Sequence, residues 1–293
     1  MDFGRLITAM ITPFYPDGRV NYDEAQKIAA YLLDHGSDGL CIAGTTGESA
    51  TLTPEERRAL FDAVLEVTRE KGASMLAGCG ANNTAESIRL CQSAQAAGAD
   101  GVLLVTPYYN KPTQEGLFAH YHAVSQAVEL PVVLYNVPGR TGVNLLPTTV
   151  AQLAAIPNIV ALKEATSNMD QMSLLSKALP ADFLIYSGED SAVLPMLALG
   201  ACGVISVCSH IVGPVMQEML LAWEQGDTQK ALELHLRSFD VFQKMFLTTN
   251  PLPVKYAMHR LGFQTGPCRL PLTWVTDEQA ALIDQLLRQQ GLL

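Results

Sequence analysis

Ile159-Val160-Ala161-Leu162-Lys163 sets four consecutive apolar residues ahead of a single lysine. A run that is continuously apolar, instead of alternating with polar residues, belongs to a parallel strand covered by helices. Seven more runs of this length punctuate the chain, at residues 6–11, 39–43, 74–79, 101–105, 132–137, 183–187 and 203–207. Helical signals fill the gaps. Thr53-Pro54-Glu55-Glu56 offers a cap, a proline at the first position and acids in the first turn. Asn83-Thr84-Ala85-Glu86 opens another helix, and Gly36, Gly72 and Gly98 stand where helices should stop. Eight strand-then-helix units predict an α/β fold, a (β/α)8 TIM barrel over residues 1–225. A doubly wound open sheet is the alternative, but it rarely uses eight such even units. Helices are predicted at 214–225, 228–246, 254–261 and 277–290. The first closes the eighth unit. Residues 226–293 form a C-terminal helical segment, packed on the barrel because no Gly-, Ser- or Pro-rich linker sets it apart.

The composition of the 293 residues narrows the function. Hydrophobic residues make up 48% and charged residues 16%, which excludes a disordered chain. The formal charge is −10 and no basic run exists, so no nucleic-acid partner is expected. Cys41, Cys79, Cys91, Cys202, Cys208 and Cys268 form no CxxC pair and match no zinc spacing. They read as buried free thiols of a cytoplasmic protein. The N-terminus lacks the pattern of a signal peptide. Residues 191–217 carry no formal charge, yet Pro195, Gly200, Gly203, Gly213 and Pro214 divide them, so no membrane span is expected. His120 and His122 lie two apart on a predicted helix and make no metal pair, and no metal is expected elsewhere.

Barrel enzymes place their chemistry at the C-terminal ends of the strands. Alternation sets Ile159, Ala161 and Lys163 on one face. A lysine aimed into a barrel is desolvated, which favours the neutral amine that attacks a carbonyl to form a Schiff base. The plain alternative is a strand-end lysine that reaches solvent or an acid. Tyr135 ends the neighbouring run with the parity of Val133 and Val137, where a phenol can move protons; a core tyrosine is the commoner occupant. Gly44-Thr45-Thr46-Gly47 is a tight loop of small polar residues suited to one carboxylate, or an ordinary strand-to-helix turn. Arg140 is the only basic residue in the loop after the fifth strand and could offer a carboxylate a fixed fork; alone it would read as a surface arginine. The seventh loop is acidic at Glu189-Asp190, and the eighth offers His210 but no Arg or Lys, which disfavours a phosphorylated substrate.

Taken together, Gly44-Thr45-Thr46-Gly47-Glu48, Tyr108-Tyr109-Asn110-Lys111-Pro112, Tyr135-Asn136-Val137-Pro138-Gly139-Arg140-Thr141-Gly142 and Leu162-Lys163-Glu164-Ala165 resemble the dihydrodipicolinate synthase family. That family belongs to the pyruvate-dependent Schiff-base lyases related to N-acetylneuraminate lyase. The likeness runs from Gly4 to about Pro271 and includes Gly203-Val204-Ile205-Ser206-Val207 and Asn250-Pro251-Leu252-Pro253-Val254-Lys255. It implies condensation of pyruvate with aspartate semialdehyde in lysine biosynthesis, through a covalent imine on Lys163 and without a cofactor. By position, Tyr135 would give and take protons. Thr45 would link it to Tyr109 of a neighbouring subunit. Thr46, with the Thr45 backbone, would hold the pyruvate carboxylate, and Arg140 that of the semialdehyde. Main-chain groups of Gly188 and Ile205 would line the site. The family's usual assembly is a homotetramer, a dimer of dimers.

The resemblance also carries a possible allosteric lysine site, matched here by Ser49, Ala50, Asn82, Glu86 and Tyr108. Pro54 and Arg57 stand where the lysine-sensitive pattern has two histidines, which leaves inhibition open. Aldolases that cleave sugar acids such as N-acetylneuraminate or 2-keto-3-deoxygluconate share Lys163 and Tyr135 but typically lack the arginine of Gly139-Arg140-Thr141-Gly142. A catalytically silent barrel acting as a scaffold is a third reading. It requires a missing nucleophile or proton relay, and neither is missing.

Overall fold

The computed structural model describes residues 3–293. Eight parallel strands in sequence order close a barrel: β1 (Leu6–Ala9), β2 (Gly39–Ile42), β3 (Ser74–Gly78), β4 (Gly101–Val105), β5 (Val132–Asn136), β6 (Ile159–Glu164), β7 (Leu184–Ser187) and β8 (Gly203–Ser206). The intervening helices are α1 (Tyr22–Asp34), α2 (Pro54–Lys71), α3 (Thr84–Ala97), α4 (Gln114–Ser125), α5 (Pro138–Thr141), α6 (Pro147–Leu153), α7 (Met169–Ala178) and α8 (Val193–Ala198). After β8 come α9 (Ser209–Glu224), α10 (Thr228–Lys244), α11 (Leu252–Arg260) and α12 (Asp277–Gln289). This is the TIM barrel with C-terminal helices that the strand rhythm predicts. Each apolar run of the sequence became a strand, because a strand covered on both faces has no solvent side on which to place polar residues.

Local chemistry starts and stops the helices. The Thr53 side chain accepts from Glu56 N while Glu56 reaches back to Thr53 N, a complete capping box, and Pro54 fills the first position of α2. Asn83 caps α3 by accepting from Ala85 N and Glu86 N. Gly72 and Gly98 end these two helices in the left-handed conformation. Gly36, at φ +98°, has a second reason to be glycine: a Cβ there would lie 2.9 Å from the Gly213 carbonyl oxygen.

Two local expectations shift. The helix predicted from 214 begins at Ser209, in a turn that breaks at Val212 (φ −122°, ψ 28°) just before Pro214. Proline cannot donate to the preceding turn, so the kink falls in the turn before it. On β6 the register slips by one residue: Val132 opposes Ile159, but Val133 opposes Ala161. Val160 is the extra residue of that bulge.

Backbone contacts group the chain into two compact units. One runs up to Ser74 and resumes over Ser206–Leu293; the other is Met75–Ile205. The charge-free stretch 191–217 is divided among α8, β8 and the start of α9, and no helix among the described residues is long and apolar enough to cross a membrane.

Candidate active site

The Met75–Ile205 unit carries the predicted nucleophile. Lys163 pairs with Tyr135 across β5 and β6, and with Tyr186 across β6 and β7. Residues paired in a parallel sheet point to the same face, so the lysine stands between two tyrosines. Lys163 is 5% exposed and Tyr135 7%. The Lys163 Nζ lies 4.5 Å from the centroid of the Tyr135 ring, close enough for the ring face to attract an ammonium. From Ala161 onward the side-chain parity read from the sequence is the parity of the sheet; the bulge at Val160 pairs Ile159 with Val132 and so takes it off the face of Ala161 and Lys163.

Glu164, next along β6, faces the other way and is also buried. Its carboxylate accepts from Asn136 Nδ2 and Gln171 Nε2, each at 3.1 Å, and from Thr166 N at 2.8 Å. Asn144 joins the same net, exchanging hydrogen bonds with Gln171 and accepting from Asn136 Nδ2 at 2.7 Å. Leu145 N donates to Asn136 Oδ1 at 2.9 Å. Asn136 and Asn144–Leu145 bracket the loop that carries Arg140. The net thus ties both ends of that loop to the strand that carries Lys163.

Arg140 itself is exposed, on the single-turn helix α5. Gly142 closes that turn at φ +73°, and a Cβ there would meet Lys111 Cε at 2.9 Å. The 108–112 loop therefore packs directly on the Arg140 loop. Tyr109 at its tip is 89% exposed, with a left-handed φ of +72° that costs a non-glycine residue of order 1 kcal/mol. Asn110 anchors the loop by donating to Asn82 O at 2.9 Å. Gly188 fits no larger residue, since a Cβ would come within 2.6 Å of Ala165 Cβ. Ile205 is buried on β8. Glu189, which the sequence shows only as an acidic loop position, proves to be coupled to the site. Burial and then Asp190 raise its carboxyl above the usual range, while Lys163 and Arg140 pull it down.

The other unit holds the threonine loop. Glu48 N donates to Thr45 O at 3.1 Å, Ser49 N to Gly44 O at 3.3 Å, and Thr12 Oγ1 to Gly47 O at 2.7 Å. Ala43 and Glu48 both have left-handed φ, +54° and +55°, so the loop is bent sharply at both ends. Thr46 is buried and accepts from Asn250 Nδ2 at 2.9 Å. The Glu48 carboxylate accepts from Lys255 Nζ at 2.6 Å and from Arg269 N at 2.9 Å. The roles of Asn250 and Lys255 are missing from any reading of the loop alone. Their only sequence signal is their place in Asn250-Pro251-Leu252-Pro253-Val254-Lys255.

Of the five residues matched to a lysine site, Ser49 and Ala50 lie in this unit, where Ser49 O accepts from Arg57 Nη2 at 2.9 Å. Asn82, Glu86 and Tyr108 lie in the other, where Glu86 is paired with Arg89. None of the six cysteines forms a disulfide, and five of them are buried. No group of three or more metal-ligating side chains occurs among the described residues.

Comparison with known proteins gives one consistent answer. The Dihydrodipicolinate synthetase family matches residues 2–290. The chain is 50% identical over 293 residues to 4-hydroxy-tetrahydrodipicolinate synthase of Moorella thermoacetica, with 100% of both chains covered. It is 52% identical to the enzyme of that name from Thermosynechococcus vestitus, over 100% of this chain and 99% of the relative. Among solved structures, dihydrodipicolinate synthase from Cyanidioschyzon merolae with lysine bound gives a TM-score of 0.98 at 44% identity, covering 99% of each chain. The chloride-inhibited enzyme from Acinetobacter baumannii complexed with pyruvate gives 0.96 at 39% identity, covering 100% of each.

Proposed function

The chain belongs to the dihydrodipicolinate synthetase family, and from that premise we infer that it is a lyase of lysine biosynthesis with 4-hydroxy-tetrahydrodipicolinate synthase activity. Its substrates are then pyruvate and L-aspartate 4-semialdehyde. The observation that carries the chemistry is the buried Lys163 amine held 4.5 Å from the Tyr135 ring on a paired strand.

On this reading Lys163 Nζ adds to the pyruvate ketone, and loss of water leaves an imine. The imine draws electrons from the neighbouring methyl carbon, which gives up a proton and then bonds to the aldehyde carbon of the semialdehyde. Tyr135 supplies and removes protons in these steps. Thr45 connects it to the partner subunit's Tyr109. An exposure of 89% for so large an aromatic supports a partner for Tyr109 outside its own chain. Thr46 and the Thr45 backbone hold the pyruvate carboxylate, Arg140 holds that of the semialdehyde, and main-chain groups of Gly188 and Ile205 line the site. The absence of room for a side chain at Gly188 supports a backbone role there.

The same reading gives a homotetramer in the cytoplasm, the absence of disulfides among the six cysteines suiting a reducing compartment. It assigns Ser49, Ala50, Asn82, Glu86 and Tyr108 to a site for product lysine, supported by the lysine-bound relative from Cyanidioschyzon merolae.

Incubation with pyruvate and borohydride, followed by mass analysis of the tryptic peptide containing Lys163, tests the imine. The expected result is one reduced pyruvate adduct on Lys163, absent in Lys163→Ala. An equal adduct in that variant refutes the nucleophile. Coupled turnover of aspartate semialdehyde then separates the synthase from a sugar-acid aldolase.

A further inference from the structure

We propose that Asn250 is a positioning residue that turns the hydroxyl proton of Thr46 toward the carboxylate of pyruvate. The proposal rests on the reading above that Thr46 holds that carboxylate, and it adds a residue from the C-terminal helical segment to the work of the substrate loop.

A threonine hydroxyl has one proton to give and two lone pairs to offer, and it rotates to suit its neighbours. A carboxylate only accepts, so Thr46 serves it only with the proton directed at it. Asn250 Nδ2 donates to Thr46 Oγ1 at 2.9 Å, and both side chains are buried. A donor on one lone pair leaves the Thr46 proton nowhere to go in that direction and turns it away from Asn250. The amide is oriented for this at a cost to itself: Asn250 Oδ1 is buried without a hydrogen-bond partner.

The anchor of Asn250 is firm. It precedes Pro251 and the start of α11, and Lys255 on that helix holds Glu48, two residues beyond Thr46. Two contacts spanning more than 200 residues of sequence therefore seat the same short loop on the same helix start. The ion pair fixes the backbone of the loop. The amide sets the polarity of the one hydroxyl.

Borohydride trapping on Lys163 with two carbonyl compounds tests the idea. Pyruvate has the carboxylate, and acetone lacks it. In Asn250→Ala, half-maximal trapping should need about tenfold more pyruvate, the loss of one charge-assisted hydrogen bond, with acetone trapping unchanged. The pyruvate KM should rise by a similar factor, with kcat at saturation within about twofold. Asn250→Asp, of the same size but offering only acceptors, should show the same selective loss. In a Thr46→Val background, Asn250→Ala should add nothing further. Equal losses for pyruvate and acetone, additive effects in the Thr46→Val background, or loss of the fold in both Asn250 variants would make Asn250 a structural residue and overturn the proposal. Failure of the wild-type protein to trap pyruvate would instead overturn the imine reading on which it rests.

Discussion

Lys255 Nζ donates to Glu48 Oε1 at 2.6 Å, and the two side chains are 0% and 1% exposed. The ammonium also donates to Pro267 O at 3.1 Å and lies 4.1 Å from the centroid of the Phe14 ring. Burial pulls its pKa below the usual lysine range, and Glu48 works against that pull. Such a pair adds little over a well-packed apolar substitute, but breaking it from one side strands a charge. Lys255→Met keeps most of the volume and leaves the Glu48 carboxylate without its cation. The expected loss is about 3–5 kcal/mol, read from urea unfolding midpoints. Lys255→Met combined with Glu48→Gln should recover most of it. A single variant as stable as the parent would show that the pair does not hold the loop.

Arg140 stands on a loop whose two ends are tied to Glu164 through Asn136 and Asn144, so its position is set even though its side chain is exposed. Arg140→Ala should lower kcat/KM for the semialdehyde by roughly a hundredfold, the equivalent of about 2–3 kcal/mol for a bidentate charged contact. Borohydride trapping of pyruvate should hardly change. Unaltered semialdehyde kinetics would remove Arg140 from the site.

Tyr109 tests assembly and chemistry together. If it acts in the neighbouring subunit, Tyr109→Phe and Lys163→Ala are each nearly inactive, yet mixed dimers regain activity. In those dimers the site with an intact Lys163 receives its tyrosine from the Lys163→Ala subunit. Verified mixed dimers without recovery would show that Tyr109 does not act across subunits.

Two of the three buried histidines, His210 and His120, set an acid limit on stability. His210 Nδ1 lies 2.8 Å from Val207 O, and its Nε2 accepts from Ile11 N at 3.3 Å. The neutral ring uses both nitrogens, and a second proton would face the Ile11 N–H. Burial pulls its pKa down to about 4, and does the same to His120. Both folded values lie below the unfolded value near 6.5, so the unfolded chain binds the extra protons. Their contribution is complete above about pH 6.5 and falls as the pH drops toward 4, by up to about 1.4 kcal/mol per pH unit for each histidine. Unfolding midpoints measured from pH 7 to pH 4 should show this slope, and His210→Asn should flatten it. A midpoint that does not move over that range would contradict the buried, neutral state of both rings.

The sequence by itself determined the strands, the helix caps and the face on which Lys163 stands. Each of these is a local property. A buried parallel strand must be continuously apolar, a cap must carry an oxygen at a fixed offset, and a period of two decides which of Lys163 and Glu164 shares a face with Ala161. Arg140, Thr46 and Tyr109 were legible only as members of motifs, since nothing in their immediate neighbours separates them from surface or turn residues. Tertiary structure alone decided the rest. The slip at Val160 depends on how β5 meets β6. The amide net around Glu164 gathers side chains from a strand, a loop and a helix. Asn250 and Lys255 reach Thr46 and Glu48 only because the chain folds α11 back on the loop after β2. Hydrogen bonds and ion pairs between residues distant in the chain act over a few ångströms in space and follow no fixed offset or period along the sequence. The residues that hold the site in place were therefore the part that only the fold could reveal.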